Sequence, residues 1–176
     1  MAAQSRSVRS ETNSSPAKAG TPCATLCLRN RQRVCPIDLR LFRRMTRYAL
    51  EHHFAPENYE LCFHFVESKE MARLNEQFLQ HAGPTDVITF DHRGGQPGLH
   101  GEIFICPEIA SAQAKEFRTS LQEELVRYAV HGLLHLHGHD DQSPALRKKM
   151  KREEDRIVGS LAQHFAIARL GRTRLK

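Results

Sequence analysis

The chain has 176 residues, 40% of them hydrophobic, and a formal net charge of +6 from 26 basic and 20 acidic side chains. That length suits one compact domain with a real core, and no stretch approaches the roughly 20 apolar residues of a membrane span. The positive balance favours phosphate-bearing partners over acid-repelling ones, and alone decides little else. The five cysteines (Cys23, Cys27, Cys35, Cys62, Cys106) are odd in number and scattered, with no secretory signal before them. They read as reduced thiols of a cytoplasmic protein rather than a disulfide framework.

Residues 1–22 hold five serines, four alanines and a single acidic residue, with nothing to form a hydrophobic face. They read as a disordered extension. Arginine and serine with little acid also fit an organellar transit peptide, the minor alternative for location, though no amphipathic period is clear. Beyond them ATLCLRN (24–30) has the pattern of a strand. Asp38 can cap a helix through residues 39–53, with Leu39, Phe42, Met45 and Ala49 at helical spacing. ELCFHFV (60–66) alternates as a strand does, and residues 68–78 suit a short helix carrying Met71, Leu74 and Phe78 on one side.

VITF (87–90) and EIFIC (102–106) read as strands joined by a loop rich in glycine and proline. Pro107 can open a helix to about Phe117. Ser120 and Glu123 have the spacing of a capping box for a helix over 121–137. Ser143 and Pro144 start a last helix, expected to reach about Ala168 before a basic end. The sum is an α+β domain over residues 23–170, with a small mixed sheet of about four strands, about five helices and a basic tail at 171–176.

Chemistry concentrates in HGLLHLHGHDD, residues 131–141. At about 100° per residue, His131 and His135 share one helix face a turn apart, the spacing by which two imidazoles bind one metal ion. His137 points away from them, and Gly138 supplies a residue able to end the helix. A third ligand from beyond that turn would be His139, Asp140 or Asp141. Three protein ligands leave one position for water, as in catalytic zinc sites. The bland alternative, a pair of hydrogen-bonded core histidines, explains the pair but not the glycine and the acid that follow at fixed offsets. Gly132 stands where a zinc peptidase has its glutamate, which argues against ordinary peptide hydrolysis. Base function would fall to the metal's own water, to Asp140, to Glu102 or to a group of the substrate.

These residues resemble the YbeY family of metal-dependent endoribonucleases, the ribosomal RNA maturation factors. The family signature HGxLHLxGYDH stands against HGLLHLHGHDD here, and LNEQFLQHAGPTDVITF (74–90) resembles its LNxxYR…PTDVLSF block. HGEIFICPEIA resembles its strand-to-helix segment, and Met150 falls where the family has a methionine followed by an acidic residue. The resemblance implies a metzincin-like helix and turn holding one zinc ion, in a groove that cuts single-stranded RNA. It implies a role in small-subunit ribosomal RNA maturation and ribosome quality control, with ribosomal RNA and the small subunit as partners and no membrane.

Carried over position by position, His131 and His135 match the first two ligands, and Asp141 stands where the third histidine sits. His139, at the tyrosine position, is the alternative third ligand. Leu79 replaces the arginine of the LNxxYR block, which removes a natural phosphate clamp. Arg73, His81 or Arg93 are candidates to compensate, though each taken singly reads more simply as a solvated surface residue. Thr85 and Asp86 match the family block and either line the groove or cap the strand that follows. Glu102 replaces an aspartate and keeps its charge. A different class of function, a metal-stabilised ribosome-binding assembly factor with little catalysis, gains credit from the lost arginine and histidine. A hydrolase of peptides or small molecules is weaker, because of Gly132.

Overall fold

The computed structural model describes residues 6–9 and 24–171. One mixed sheet forms the spine, built from β1 (Arg6–Arg9), β2 (Ala24–Asn30), β3 (Tyr59–Phe65), β4 (Val87–Asp91) and β5 (Leu99–Ile105), in the order β1-β4-β5-β3-β2. β2, β3 and β5 run parallel, β4 opposes β5, and β1 pairs parallel with β4. The four expected strands are all present. The fifth, β1, falls inside the stretch expected to be disordered. Its Arg6–Arg9 backbone takes up the open edge of β4, which needs main-chain hydrogen bonds and no hydrophobic face. The rest of the 1–22 extension and the basic tail beyond Gly171 lie outside the described residues.

Five α-helices follow from local signals. α1 (Leu39–Ala49) is capped by Asp38, whose side chain accepts from Arg40 N and Leu41 N. α2 (Ser68–Leu79) and α3 (Pro107–Phe117) follow β3 and β5, and Pro107 occupies the first turn of α3. α4 (Leu121–Leu136) starts with both bonds of the Ser120–Glu123 capping box, a cap whose loss costs about 1 kcal/mol. α5 (Pro144–His164) starts at Ser143, which accepts from Leu146 N.

Two boundaries differ from expectation. The helix expected through residue 53 is α-helical only to Ala49, and Leu50–Phe54 close as a π-helical turn that buries Leu50 and Phe54. The last helix stops at His164 instead of about Ala168. There Phe165 turns extended, and Ile167 and Leu170 fold back into the core, where the Leu170 carbonyl accepts from Asp38 N.

The larger core lies on one sheet face, where α1, α4 and α5 pack on Leu61, Phe63, Phe65 and Ile103. α2 covers part of the other face through Met71, against Val66, Ile88 and Phe104. Close approach of α4 to the sheet depends on glycine. A Cβ at Gly132 would lie 2.8 Å from the Ile103 side chain, and one at Gly101 would lie 2.8 Å from Leu136 and 2.3 Å from the Phe90 carbonyl oxygen. So Gly132, which lacks a base by its chemistry, also faces the sheet. A glutamate there would collide with β5 rather than reach a substrate.

Candidate metal centre

From Glu124 to Leu136, α4 is buried on nearly all sides, and only Arg127 and His131 reach partial exposure. Glu124, Arg127, Tyr128 and His131 recur at helical spacing and line a cavity of about 380 Å³ between α3, α4 and α5. His131 and Asp141 sit at one end of it.

The chain reverses after α4 through a defined turn. Gly138 has φ +97°, its N–H donates to the His135 carbonyl, and the His139 N–H donates to the Leu134 carbonyl. This is the paired-bond helix stop that favours glycine. Asp140 then folds its carboxylate back, Oδ1 accepting from Asp141 N at 2.7 Å and Gln142 N at 3.1 Å. The turn thereby returns Asp141 to the helix face that carries His131.

His131, His135 and Asp141 each offer one ligand atom within 4.8 Å of the others. The two Nε2 atoms are 3.1 Å apart, and His131 Nε2 is 3.9 Å from Asp141 Oδ2. Donors ~2.0 Å from a tetrahedral zinc ion lie roughly 3.3 Å from one another, so the spacing suits a metal of that size. Both imidazoles are oriented from behind. His131 Nδ1 donates to Glu154 Oε2 at 2.9 Å, and His135 Nδ1 donates to the His139 carbonyl at 3.1 Å. A carboxylate and a carbonyl only accept, so each ring keeps its proton on Nδ1 and turns the Nε2 lone pair towards the shared point. Two such lone pairs 3.1 Å apart repel each other unless a cation joins them or one takes a proton. Burial, and then the neighbouring His131, hold His135 well below the usual histidine pKa, which opposes the proton.

Glu154 is itself anchored. It is 5% exposed, and Arg127 Nη1 donates to its Oε1 at 2.5 Å and to Asp155 at 2.7 Å. Burial works against its charge, yet His131 and Arg127 together hold its carboxyl below the usual carboxylate range. In the sequence, Met150 marks only the place of an acidic residue to follow. Glu154 stands one helical turn beyond Met150 and is the partner of a ligand 23 residues earlier. Arg127, half-buried among the buried Leu125, Val126, Tyr128, Ala129 and Val130 of α4, carried a signal too: such a cation needs a partner.

The other sequence candidates divide clearly. His139 is outside the ligand cluster, serving through its carbonyl while its ring stacks 5.9 Å from that of His137. Asp140 builds the turn. Asp86 lines the cavity and is buried; burial raises its carboxyl pKa, against hydrogen bonds from Thr85 and from Val87 N. Glu102 lies on the opposite face of the sheet from α4, since its neighbour Ile103 is the residue beneath Gly132, and it meets His64 Nε2 at 3.3 Å. Arg93 is committed to Asp91 through a forked pair at 3.0 and 2.6 Å. Arg73 and His81 are exposed, on and just beyond α2, and neither lines the cavity. Leu79 packs half-buried on the α2 side of the sheet.

Fold and site together define an α+β protein whose central helix and following turn form a three-ligand cluster able to hold one metal ion. A family model described as "Endoribonuclease YbeY" matches residues 28–162, and the chain belongs to that family. A relative named Endoribonuclease YbeY from Chlamydia caviae is 32% identical over 149 residues, covering 81% of this chain and 94% of its own length. Another of that name, from Elusimicrobium minutum, is 38% identical over 109 residues, 60% of this chain and 76% of its own. The solution structure of TM1509 from Thermotoga maritima shares the fold, with a TM-score of 0.55 and 24% identity over 80% of this chain and 93% of that one.

Proposed function

We propose that the protein is a zinc-dependent endoribonuclease that cuts single-stranded RNA in small-subunit ribosomal RNA maturation and ribosome quality control, in the cytoplasm. One observation carries the reading: two imidazole nitrogens 3.1 Å apart, both oriented from behind, converge with a carboxylate at the end of an open cavity. The relatives bear the name endoribonuclease, and the net charge of +6 suits an anionic substrate. A zinc ion held there would polarise a phosphoryl oxygen and lower the pKa of its water to about 7. His131, His135 and Asp141 hold it; Glu154 and the His139 carbonyl keep the rings in place.

Substrate binding falls to cations on α5. Arg147 and Lys151 both line the cavity. Lys151 leans on Glu154 and Asp155, whereas Arg147 makes no ion pair among the described residues and is free to take a phosphate. It is the replacement we assign for the family arginine that Leu79 lacks. Asp86, its carboxyl pKa raised, is the side chain suited to hold a proton beside the reacting phosphate.

Cleavage of a single-stranded RNA by the purified protein, abolished in a His131→Ala/His135→Ala variant, is the expected result. Cleavage that persists in that variant would sink the reading. The apolar packing of Leu79 keeps a second reading in play, a metal-stabilised ribosome-binding factor. Binding to ribosomal particles with no cleavage under any divalent metal would favour it.

A further inference from the structure

The cavity is larger than a metal site needs. Its volume of about 380 Å³ falls within the ~300–1,000 Å³ typical of pockets for small organic ligands. It follows α4 from His131 back to Glu124, seven residues and therefore about 10 Å along the axis at ~1.5 Å per residue. That is the reach of one nucleotide from its phosphate, not of several.

Three features of its wall point to an aromatic ligand with a polar edge. Phe117, at the end of α3, lines the cavity with 53% of its surface exposed. Among the described residues its ring stacks on no other. Glu124 is only 3% exposed and also lines the cavity; Thr119 Oγ1 donates to its Oε1 at 2.6 Å, and among the described residues none donates to Oε2. Gln113 accepts from Tyr128 OH at 2.6 Å through its Oε1, and its amide N–H groups find no acceptor among the described residues.

We propose that this cavity seats one base of the RNA strand beside the cleaved phosphate, and that the preferred base is guanine; the inference rests on the nuclease reading above. An exposed phenyl ring is a stacking platform for any base. The edge groups then discriminate. Guanine presents an acceptor oxygen followed by two adjacent N–H donors, and the wall answers with an amide donor on Gln113 and a carboxylate acceptor on Glu124. Uracil offers one N–H between two carbonyl oxygens, which the carboxylate repels. Adenine and cytosine offer one amine beside a ring nitrogen acceptor, with the same penalty on one side.

The test measures binding of 5′-GMP and 5′-UMP, which contain no internucleotide bond to cut, to the zinc-loaded full-length chain. GMP is expected to bind about tenfold tighter. Phe117→Ala, exposed and so compatible with folding, is expected to weaken both by about tenfold, and Glu124→Gln to erase the preference for GMP. Equal affinities for the two nucleotides, or a Phe117→Ala variant that binds both as the wild type does, would overturn the base pocket. RNA cleavage scored in parallel keeps the two readings apart. A wild-type protein that cuts RNA with no base preference refutes the pocket alone, and one that favours GMP tenfold but cuts nothing refutes the nuclease alone.

Discussion

Each face of the sheet carries a histidine paired with a glutamate, and only one of the two pairs stands at the cluster able to hold a metal. On the α4 face, His131 gives its Nδ1 to Glu154 at 2.9 Å and points Nε2 at a second imidazole. On the opposite face, His64 meets Glu102 through Nε2 at 3.3 Å and lies flat on Phe104, rings 4.3 Å apart. Its Nδ1 is buried with no hydrogen-bond partner among the described residues. The lesson is that a histidine beside a carboxylate is not in itself a centre. Which nitrogen the carboxylate takes decides whether the other is aimed at a shared point or spent on packing.

The sharpest way to break this contrast is Glu154→Gln. It removes the charge and one of the two oxygens that accept from His131 and Arg127, so that one of these donors faces an amide N–H, and it is expected to lower zinc affinity by about 10–100-fold, read by competition with a chelator. The matching change on the other face, Glu102→Gln, is expected to leave zinc affinity where it was. Equal losses in the two variants would erase the distinction between the pairs.

Packing supplies the next largest effect. Gly132→Ala forces a methyl group against Ile103 where only 2.8 Å is available. An overpacked core position of this kind costs about 1–3 kcal/mol, and the urea midpoint is expected to fall accordingly. If Gly132→Ala is as stable as the wild type, the tight seat of α4 on β5 is wrong.

The smallest effect concerns pH. Burial holds His64 below its usual pKa, against the opposing charge of Glu102. A group whose pKa is depressed by folding stabilises the fold above its unfolded value, about 6.5, and loses that contribution as the pH falls below it. Stability of the metal-free protein is therefore expected to drop between pH 7 and pH 5, and to drop less in His64→Gln. Some acid sensitivity remains in that variant, because burial lowers His135 most of all, and His53 and His139 as well. An identical pH profile in both proteins would count against the buried, neutral state of His64.

Much of this arrangement is legible in the chain, for local reasons. The four-residue spacing of His131 and His135, the stop at Gly138 and the caps at Asp38, Ser120 and Ser143 are set by neighbours within one turn, and the structure contains each of them. What resists reading is set by contacts far apart in sequence. Glu154 reaches His131 across 23 residues, and the cavity exists only because α3, α4 and α5 meet. Gly132 is the most instructive case. Its chemistry rules out a base, but its reason for being glycine lies in Ile103, on a strand that sequence spacing does not connect to it. Likewise Glu102 has the chemistry of a base and the wrong side of the sheet, a fact fixed by strand alternation relative to Ile103.

The geometry assigns Asp141, and not His139, to the ligand set with His131 and His135. Zinc content per chain, measured on purified Asp141→Ala and His139→Ala variants, tests it most directly. The geometry predicts one zinc retained in His139→Ala, whose carbonyl still accepts from His135, and zinc lost in Asp141→Ala. Zinc retained in Asp141→Ala and lost in His139→Ala would contradict it.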